Sequence, residues 1–160
     1  MNYDLINAVK ILNKEKCTCV LCCGDEKYTA SHRGVKPLLD WFDSGIDFNG
    51  FSAADKVVGN AAAFLYVLLG VKAVYAPVMS EAAVNTLKDN GIEFEFDEIV
   101  QGIINRTGDG SCPMEESVKG ISNPAAALCA IRMKLKELSK RNSGGFSYEY
   151  GNKGANKSGG

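Results

Sequence analysis

Three places in this 160-residue chain combine residue types and spacing that could do chemistry. The first is Ser52-Ala53-Ala54-Asp55-Lys56, where a carboxylate and an ammonium directly precede a long apolar run. At the mouth of an open α/β sheet such a pair could meet a ligand, and the free N–H groups of a following helix could hold an anion. Equally, Ser52 and Asp55 could form a capping box with Asp in the usual place of Glu. The second is Asn105-Arg106-Thr107-Gly108-Asp109-Gly110-Ser111. Here Gly108 and Gly110 would let the backbone approach a phosphate, Asn105 and Thr107 would contribute polar side chains, and Arg106 a bidentate fork. No Gly-Lys-Ser/Thr closes the segment, so it is not a Walker loop, and its glycines could simply make a turn.

The third is Cys112, which precedes Pro113 and so is expected at a helix N-cap, where the helix end favours thiolate. Glu115 three residues later opposes that effect. A small residue closing a turn is the competing reading of Cys112. The lone histidine, His32, is the one side chain that could serve it as a neutral-pH base. Arg33 and Lys36, in a basic turn, are further candidates for the same ligand pocket, or ordinary solvated charges.

Composition narrows the field. A single histidine excludes sites built on two, and 18 basic against 19 acidic side chains argue against a nucleic-acid-coating or polybasic membrane-binding protein. Six cysteines suggest zinc, yet four crowd into Cys17-Thr18-Cys19-Val20-Leu21-Cys22-Cys23. As a strand, that run turns Cys17, Cys19 and Cys23 to one face and Cys22 to the other. One metal could not collect them, so they are expected to be buried free thiols in a reducing cytoplasm. No metal or cofactor is expected. The N-terminal segment lacks the apolar core of a secretory signal, and Val57 to Leu69 is too short to span a bilayer.

The elements that must position these residues follow from periodicity and punctuation. Leu5, Ile6, Val9 and Leu12 recur at helical spacing, giving a helix over Asp4 to Leu12. Thr18 to Cys23 and Lys27 to Ala30 make a hairpin across Gly24-Asp25-Glu26. Lys36 to Ser44 is a helix started by Pro37 and stopped by Gly45. Ser52 is expected to cap a central helix over Ala53 to Leu69, ended by Gly70. Ala73 to Val78 is an apolar strand; Ser80 caps a helix ended at Asn90-Gly91; Glu93 to Phe96 is a half-exposed strand. Val100 to Ile104 fits either a strand or a helical turn. A short helix begins at Pro113, and Asn123-Pro124 starts the last one. Six of the 17 glycines fall after Asn142, so residues 143–160 are expected to be a disordered tail after one domain over 1–142. The order implies a mixed sheet covered by helices on both faces.

Three runs carry a resemblance: Arg33-Gly34-Val35-Lys36-Pro37-Leu38-Leu39-Asp40-Trp41, Phe51-Ser52-Ala53-Ala54-Asp55-Lys56-Val57-Val58-Gly59, and Asn105-Arg106-Thr107-Gly108 to Cys112-Pro113-Met114-Glu115. Over Asp4 to Arg132 the chain resembles a small prokaryotic family known only as a domain of unknown function (number 1893), whose fold is similar to that of cytidine deaminases. The resemblance implies a three-layer α/β/α domain with a mixed sheet and no named reaction. Zinc deaminases carry His-x-Glu or Cys-x-Glu at one helix start and Pro-Cys-x-x-Cys at the next. The corresponding segments, Ala53-Ala54-Asp55 and Pro77-Val78-Met79-Ser80-Glu81, place Ala53, Val78 and Glu81 where the ligands would stand.

The expectation is therefore a zinc-less, cytidine-deaminase-like domain that binds a nucleotide or another phosphorylated small molecule in the vacated cleft. Asp55 and Lys56 would face base or sugar, and Arg106, Thr107, Gly108 and Gly110 the phosphate, with Cys112 as a possible nucleophile. The alternatives are a non-catalytic regulatory or interaction module, including a homodimer, and a thiol enzyme using Cys112. Neither nucleic acid nor a membrane is expected as a partner.

Overall fold

The computed structural model describes residues 1–104, Gly108, Gly110 and residues 112–145, with side chains to Lys140. The fold opens with α1 (Tyr3–Lys14), whose free N–H at Leu5 is capped by Asn2 Oδ1 at 2.8 Å. Of the expected stripe of Leu5, Ile6, Val9 and Leu12, Leu5 and Leu12 are buried, together with Ala8, whereas Val9 is half-buried and Ile6 is exposed. A hairpin of β1 (Cys19–Cys23) and β2 (Glu26–Ala30) follows, then α2 (Lys36–Asp43), with Pro37 in its first turn.

The chain from Ser52 departs from the expected central helix. It forms β3 (Ser52–Asp55) and β4 (Val57–Val58), and α3 begins only at Asn60, running to Leu69 with Gly59 as N-cap. Ser52 caps nothing. It is buried in the sheet, and its hydroxyl donates to Asn2 Oδ1 at 3.1 Å. The break between β3 and β4 has a local cause: Asp55 Oδ1 accepts from the Val57 N–H at 3.4 Å, an Asx-type bond that competes with the ladder. Lys56 N–H turns instead to the Thr18 carbonyl at 3.0 Å.

Further on lie β5 (Ala73–Ser80), α4 (Glu81–Asp89), β6 (Glu93–Val100), α5 (Pro113–Ser117) and α6 (Pro124–Gly145). Ser80 Oγ accepts from Ala83 N–H at 3.1 Å, as an N-cap should. Gly91 adopts φ +73°, the left-handed turn expected after α4. β6 extends four residues past Phe96, which settles Val100 as strand. α6 continues to Gly145, past the expected boundary after Asn142; residues 146–160 lie outside the described ones.

The six strands make one mixed sheet. β1 is antiparallel to both β2 and β3, whereas β3 and β4 run parallel along β5, and β5 parallel to β6. β1 alone therefore opposes the other strands. The start of β1 lies at the same end as the C-terminal ends of β2, β3, β5 and β6. Alternate side chains split the core. Val20, Cys22, Ala54, Ala73 and Tyr75 pack against α1, while Cys19, Leu21, Ala53, Val74 and Ala76 join the larger cluster with α2, α3, α4, α5 and α6. Cys17 lies just before β1 and falls on the α1 side with Cys22. The expected grouping of Cys17 with Cys19 and Cys23 does not hold, because strand alternation begins only at Cys19. All six cysteines are free thiols.

Candidate functional site

The end of the sheet where the parallel strands finish gathers Arg33, Asp55, Lys56 and His32, and Thr18 ties it together. Thr18 N–H donates to the Ala30 carbonyl at 2.7 Å. Its hydroxyl lies 2.7 Å from the His32 carbonyl oxygen and 3.1 Å from that of Ala30, and its own carbonyl accepts from Lys56. Ser31 Oγ donates to the Lys16 carbonyl at 3.2 Å. Three segments, at Lys16–Thr18, Ser31–Arg33 and Lys56, are thus stitched side by side.

Lys16, Arg33 and Lys56 are exposed there, and none has an ion-pair partner among the described residues. Burial and Glu15 push the Cys17 thiol up, and Lys56 and Lys27 pull against that shift, so the Lys56 charge is felt beside Lys16. Lys36 does not join them: its ammonium is paired with Asp40 at 2.8 Å, one helical turn on. The neighbouring α2 follows Val35, which provides no side-chain cap, and has no acid in its first turn; because Pro37 has no N–H and Leu39 N–H is bonded to the Val35 carbonyl, its leading donors are those of Lys36 and Leu38.

Asp55 stands inside this rim. Its carboxylate accepts from the Tyr66 hydroxyl at 2.7 Å and lies opposite Cys19 across the β1–β3 ladder. Burial pushes Asp55 up from 3.8 to about 6, with the Tyr66 hydroxyl and the Val57 and Lys56 N–H groups holding it back. Tyr66 is buried on α3 and raised well above its ordinary value by burial and by the Asp55 and Cys19 charges. The Cys19 thiol is raised by burial and then by Asp55. Burial thus brings the Asp55 carboxyl up toward neutrality, and the Tyr66 hydroxyl orients it.

A second carboxylate sits nearby, at the start of α3. Glu115, from α5, accepts from Asn60 N–H at 2.6 Å and from Ala61 N–H at 3.0 Å. Beside it, the Thr86 hydroxyl donates to Asn60 Oδ1. Cys112 is the N-cap of α5, as its place before Pro113 implied. Glu115, however, is turned to α3 and not to that thiol. His32 is at the Thr18 knot, and no described contact brings it to Cys112. Asn105, Arg106 and Thr107 lie outside the described residues; Gly108 and Gly110 are exposed, and Gly108 has φ +77°.

Zinc does not fit the segments that correspond to the deaminase ligand positions. Ala53 and Asp55 belong to β3, not to a helix start. The actual start of α3 reads Gly59-Asn60-Ala61, and the passage from β5 into α4 reads Pro77-Val78-Met79-Ser80-Glu81. Neither offers a histidine or a thiolate, and the Asn60 and Ala61 N–H groups are already taken by Glu115.

Tyr66, Glu115, Thr18 and Lys16 were not among the sequence candidates. A phenol in a helix otherwise apolar all round needs a buried partner, which is a signal for Tyr66. A glycine at the start of that helix, with no capping side chain, is one for Glu115. Thr18 and Lys16 carry none, because their role comes from strand pairing.

Comparison with known proteins adds the following. Among the described residues no helix is long and apolar enough to cross a membrane. No curated protein matches the chain. Among solved structures, the crystal structure of a DUF1893 family protein (TM1506) from Thermotoga maritima at 2.70 Å resolution is similar, with 26% identity and a TM-score of 0.74 over 86% of this chain and 92% of that one. The family model described as Domain of unknown function (DUF1893) matches residues 7–135, and on that match the chain belongs to the DUF1893 family.

Proposed function

We propose that this protein binds a small phosphorylated molecule of the nucleotide kind, with its anionic group at the rim formed by Lys16, Arg33 and Lys56. One observation carries the reading. Three chain segments knotted at Thr18 bring three exposed cations, without ion-pair partners among the described residues, to the end of the mixed sheet where β2 and β3 finish, close in sequence to the start of α2. Open α/β sheets take ligands outside the carboxyl ends of their strands, and uncapped helix N–H groups with cations favour phosphate. Asp55, held by Tyr66, would face the sugar or base and exchange a proton with it.

The same reading takes the fold as cytidine-deaminase-like with its metal chemistry gone. Support comes from the order of a hairpin followed by strand–helix units, and from starts of α3 and α4 that carry neither histidine nor cysteine. Free cysteines, three of them buried, suit the reducing cytoplasm.

Thermal unfolding with AMP, CMP and inorganic pyrophosphate tests the reading. A probe at about 100 times its dissociation constant adds about 2.7 kcal/mol, which in a chain of this size raises the midpoint by about 5–11 °C. The rise is expected to vanish in an Arg33→Ala, Lys56→Ala double variant whose own midpoint matches that of the parent. No rise with any probe, or the same rise in the variant, overturns the reading.

A further inference from the structure

The two faces of the sheet are covered unequally. Among the described residues α2 to α6 pack on one face, and only α1 lies on the other, over β1 and β3 and reaching β5. What α1 leaves open follows from the strand pairing. Ala73 and Tyr75 turn toward α1, so their β6 partners Glu93 and Glu95 stand on the same face, where Asp97 accepts from the Tyr75 hydroxyl at 2.8 Å. Val57, Val78 and Glu98 are neighbours across the sheet further along. Because Val58, next to Val57, is buried in the opposite cluster, this row also faces the α1 side. Val57 and the four acids are exposed, and Val78 is half-buried.

The outward side of α1 carries the complement. Leu5, Ala8 and Leu12 point to the sheet; with about 3.6 residues per turn, Tyr3, Lys10 and Lys14 point directly away from it, with Ile6 alongside. Tyr3 is 75% exposed and Ile6 40%, so an apolar residue that the helical spacing assigns to a core is not taken by its own sheet. Lys10 and Lys14 are exposed. Like Glu93, Glu95 and Glu98, they enter no ion pair among the described residues. The levels agree as well. Asn2 is bonded to Ser52, and Ser52, Ala73 and Glu93 share one row, so α1 starts level with β6 and runs the same way. A rise of about 1.5 Å per helical residue against about 3.3 Å per strand residue sets Lys10 and Lys14 level with the second half of β6.

We propose that the protein forms a two-fold dimer in which α1 of each copy lies on the open β5–β6 face of the other. Lys10 and Lys14 meet the partner subunit's Glu95 and the partner subunit's Glu98, and Tyr3 and Ile6 are covered. An axis along β5 makes the contact self-complementary, since each copy gives α1 and receives α1. The two α1 helices form one shared layer between the two sheets. Joining β6 edge to β6 edge would instead bring carboxylates against carboxylates, so the face is used and not the edge. The dimer rests on α1 and β6, and stands whatever the cationic rim binds.

Charge reversal from both sides tests it. One variant carries Lys10→Glu and Lys14→Glu, the other Glu95→Lys and Glu98→Lys; all four side chains are exposed. The readout is sedimentation velocity of the full-length proteins at low salt and about 100 μM, well above the micromolar dissociation constants found among interfaces of ordinary size. The parent is expected to sediment as a dimer. Each variant alone is expected as a monomer, because like charges then meet at both contacts. An equimolar mixture is expected to regain the dimer, because in the mixed pair both contacts join opposite charges, and that recovery shows that neither variant is misfolded. A monomeric or larger-than-dimeric parent, a variant that dimerises alone, or a mixture that stays monomeric overturns the proposal.

Discussion

Replacing Asp55 by Asn should remove one identifiable component of the pH dependence of folding. Burial raises the Asp55 carboxyl from 3.8 to about 6 in the folded protein, a shift worth about 3 kcal/mol at about 1.36 kcal/mol per pH unit. Because the folded state holds this proton more tightly than the unfolded chain, stability falls as pH rises. Below about pH 4 both states are protonated and the penalty is absent. Between about pH 4 and 6 the unfolded chain loses its proton first, and above that window the whole penalty is present. Asn at position 55 keeps an acceptor for the Tyr66 hydroxyl but never becomes charged. Urea unfolding of both proteins from pH 4 to 7.5 is the assay. The stability of Asp55→Asn relative to the parent should climb by about 2–3 kcal/mol across that range. Glu115, also raised by burial, drops out of the comparison because it is present in both. Parallel pH profiles would refute the argument that Asp55 is held desolvated at the sheet end.

Other consequences are equally direct. Tyr66→Phe deletes the hydroxyl that stabilises the charged carboxylate, so a carbon-detected titration of the Asp55 carboxyl should show it moving further up; an unchanged titration would mean the 2.7 Å contact does not hold in solution. Gly70→Ala imposes a side chain at φ +80° and drives its Cβ into the Asn49 side chain, and a loss of about 1–3 kcal/mol in denaturant unfolding is expected. Ser52→Ala removes the buried bond to Asn2 Oδ1 that ties β3 to the start of α1; about 1 kcal/mol should be lost, and in the Asn2→Ala background the same substitution should cost measurably less.

Features set by a few adjacent residues could be read from the sequence. Ser80 before α4, Asn90-Gly91 after it, Pro37 in the first turn of α2 and Gly70 after α3 all depend on local backbone chemistry. The helical spacing of Leu5, Ile6, Val9 and Leu12 gives α1 directly, although Ile6 ends up exposed and Ala8 takes its place in the core. The segment Ser52–Val58 misled because a strand buried on both faces has no alternation to reveal it. Its alanines and the Ser-x-x-Asp spacing also imitate a capped helix. Only pairing with β1 and β5, set by the whole sheet, decides between the two. β6 lost its alternating signal beyond Phe96 because Asp97 and Glu98 are both exposed, as edge strands often arrange.

The candidate site was legible to a similar degree. Asp55, Lys56 and Arg33 stand at one end of the sheet, as the sequence suggested. Lys36 was lost to Asp40, a neighbour on the same helix turn, although the i, i+4 spacing announces that pair. The Glu115 seat on α3 was not readable, since nothing near position 59 or position 115 indicates that the two meet.

The role of the Lys16, Arg33 and Lys56 rim rests on where an anion binds. Backbone amide spectra of the ¹⁵N-labelled protein, titrated with pyrophosphate and with CMP at low salt and again at physiological salt, measure this residue by residue. Saturable shifts centred on Thr18, His32, Arg33, Gly34 and Lys56, weakening as salt is raised, are the expected result. Shifts confined to other parts of the molecule, or none at millimolar probe, would contradict it.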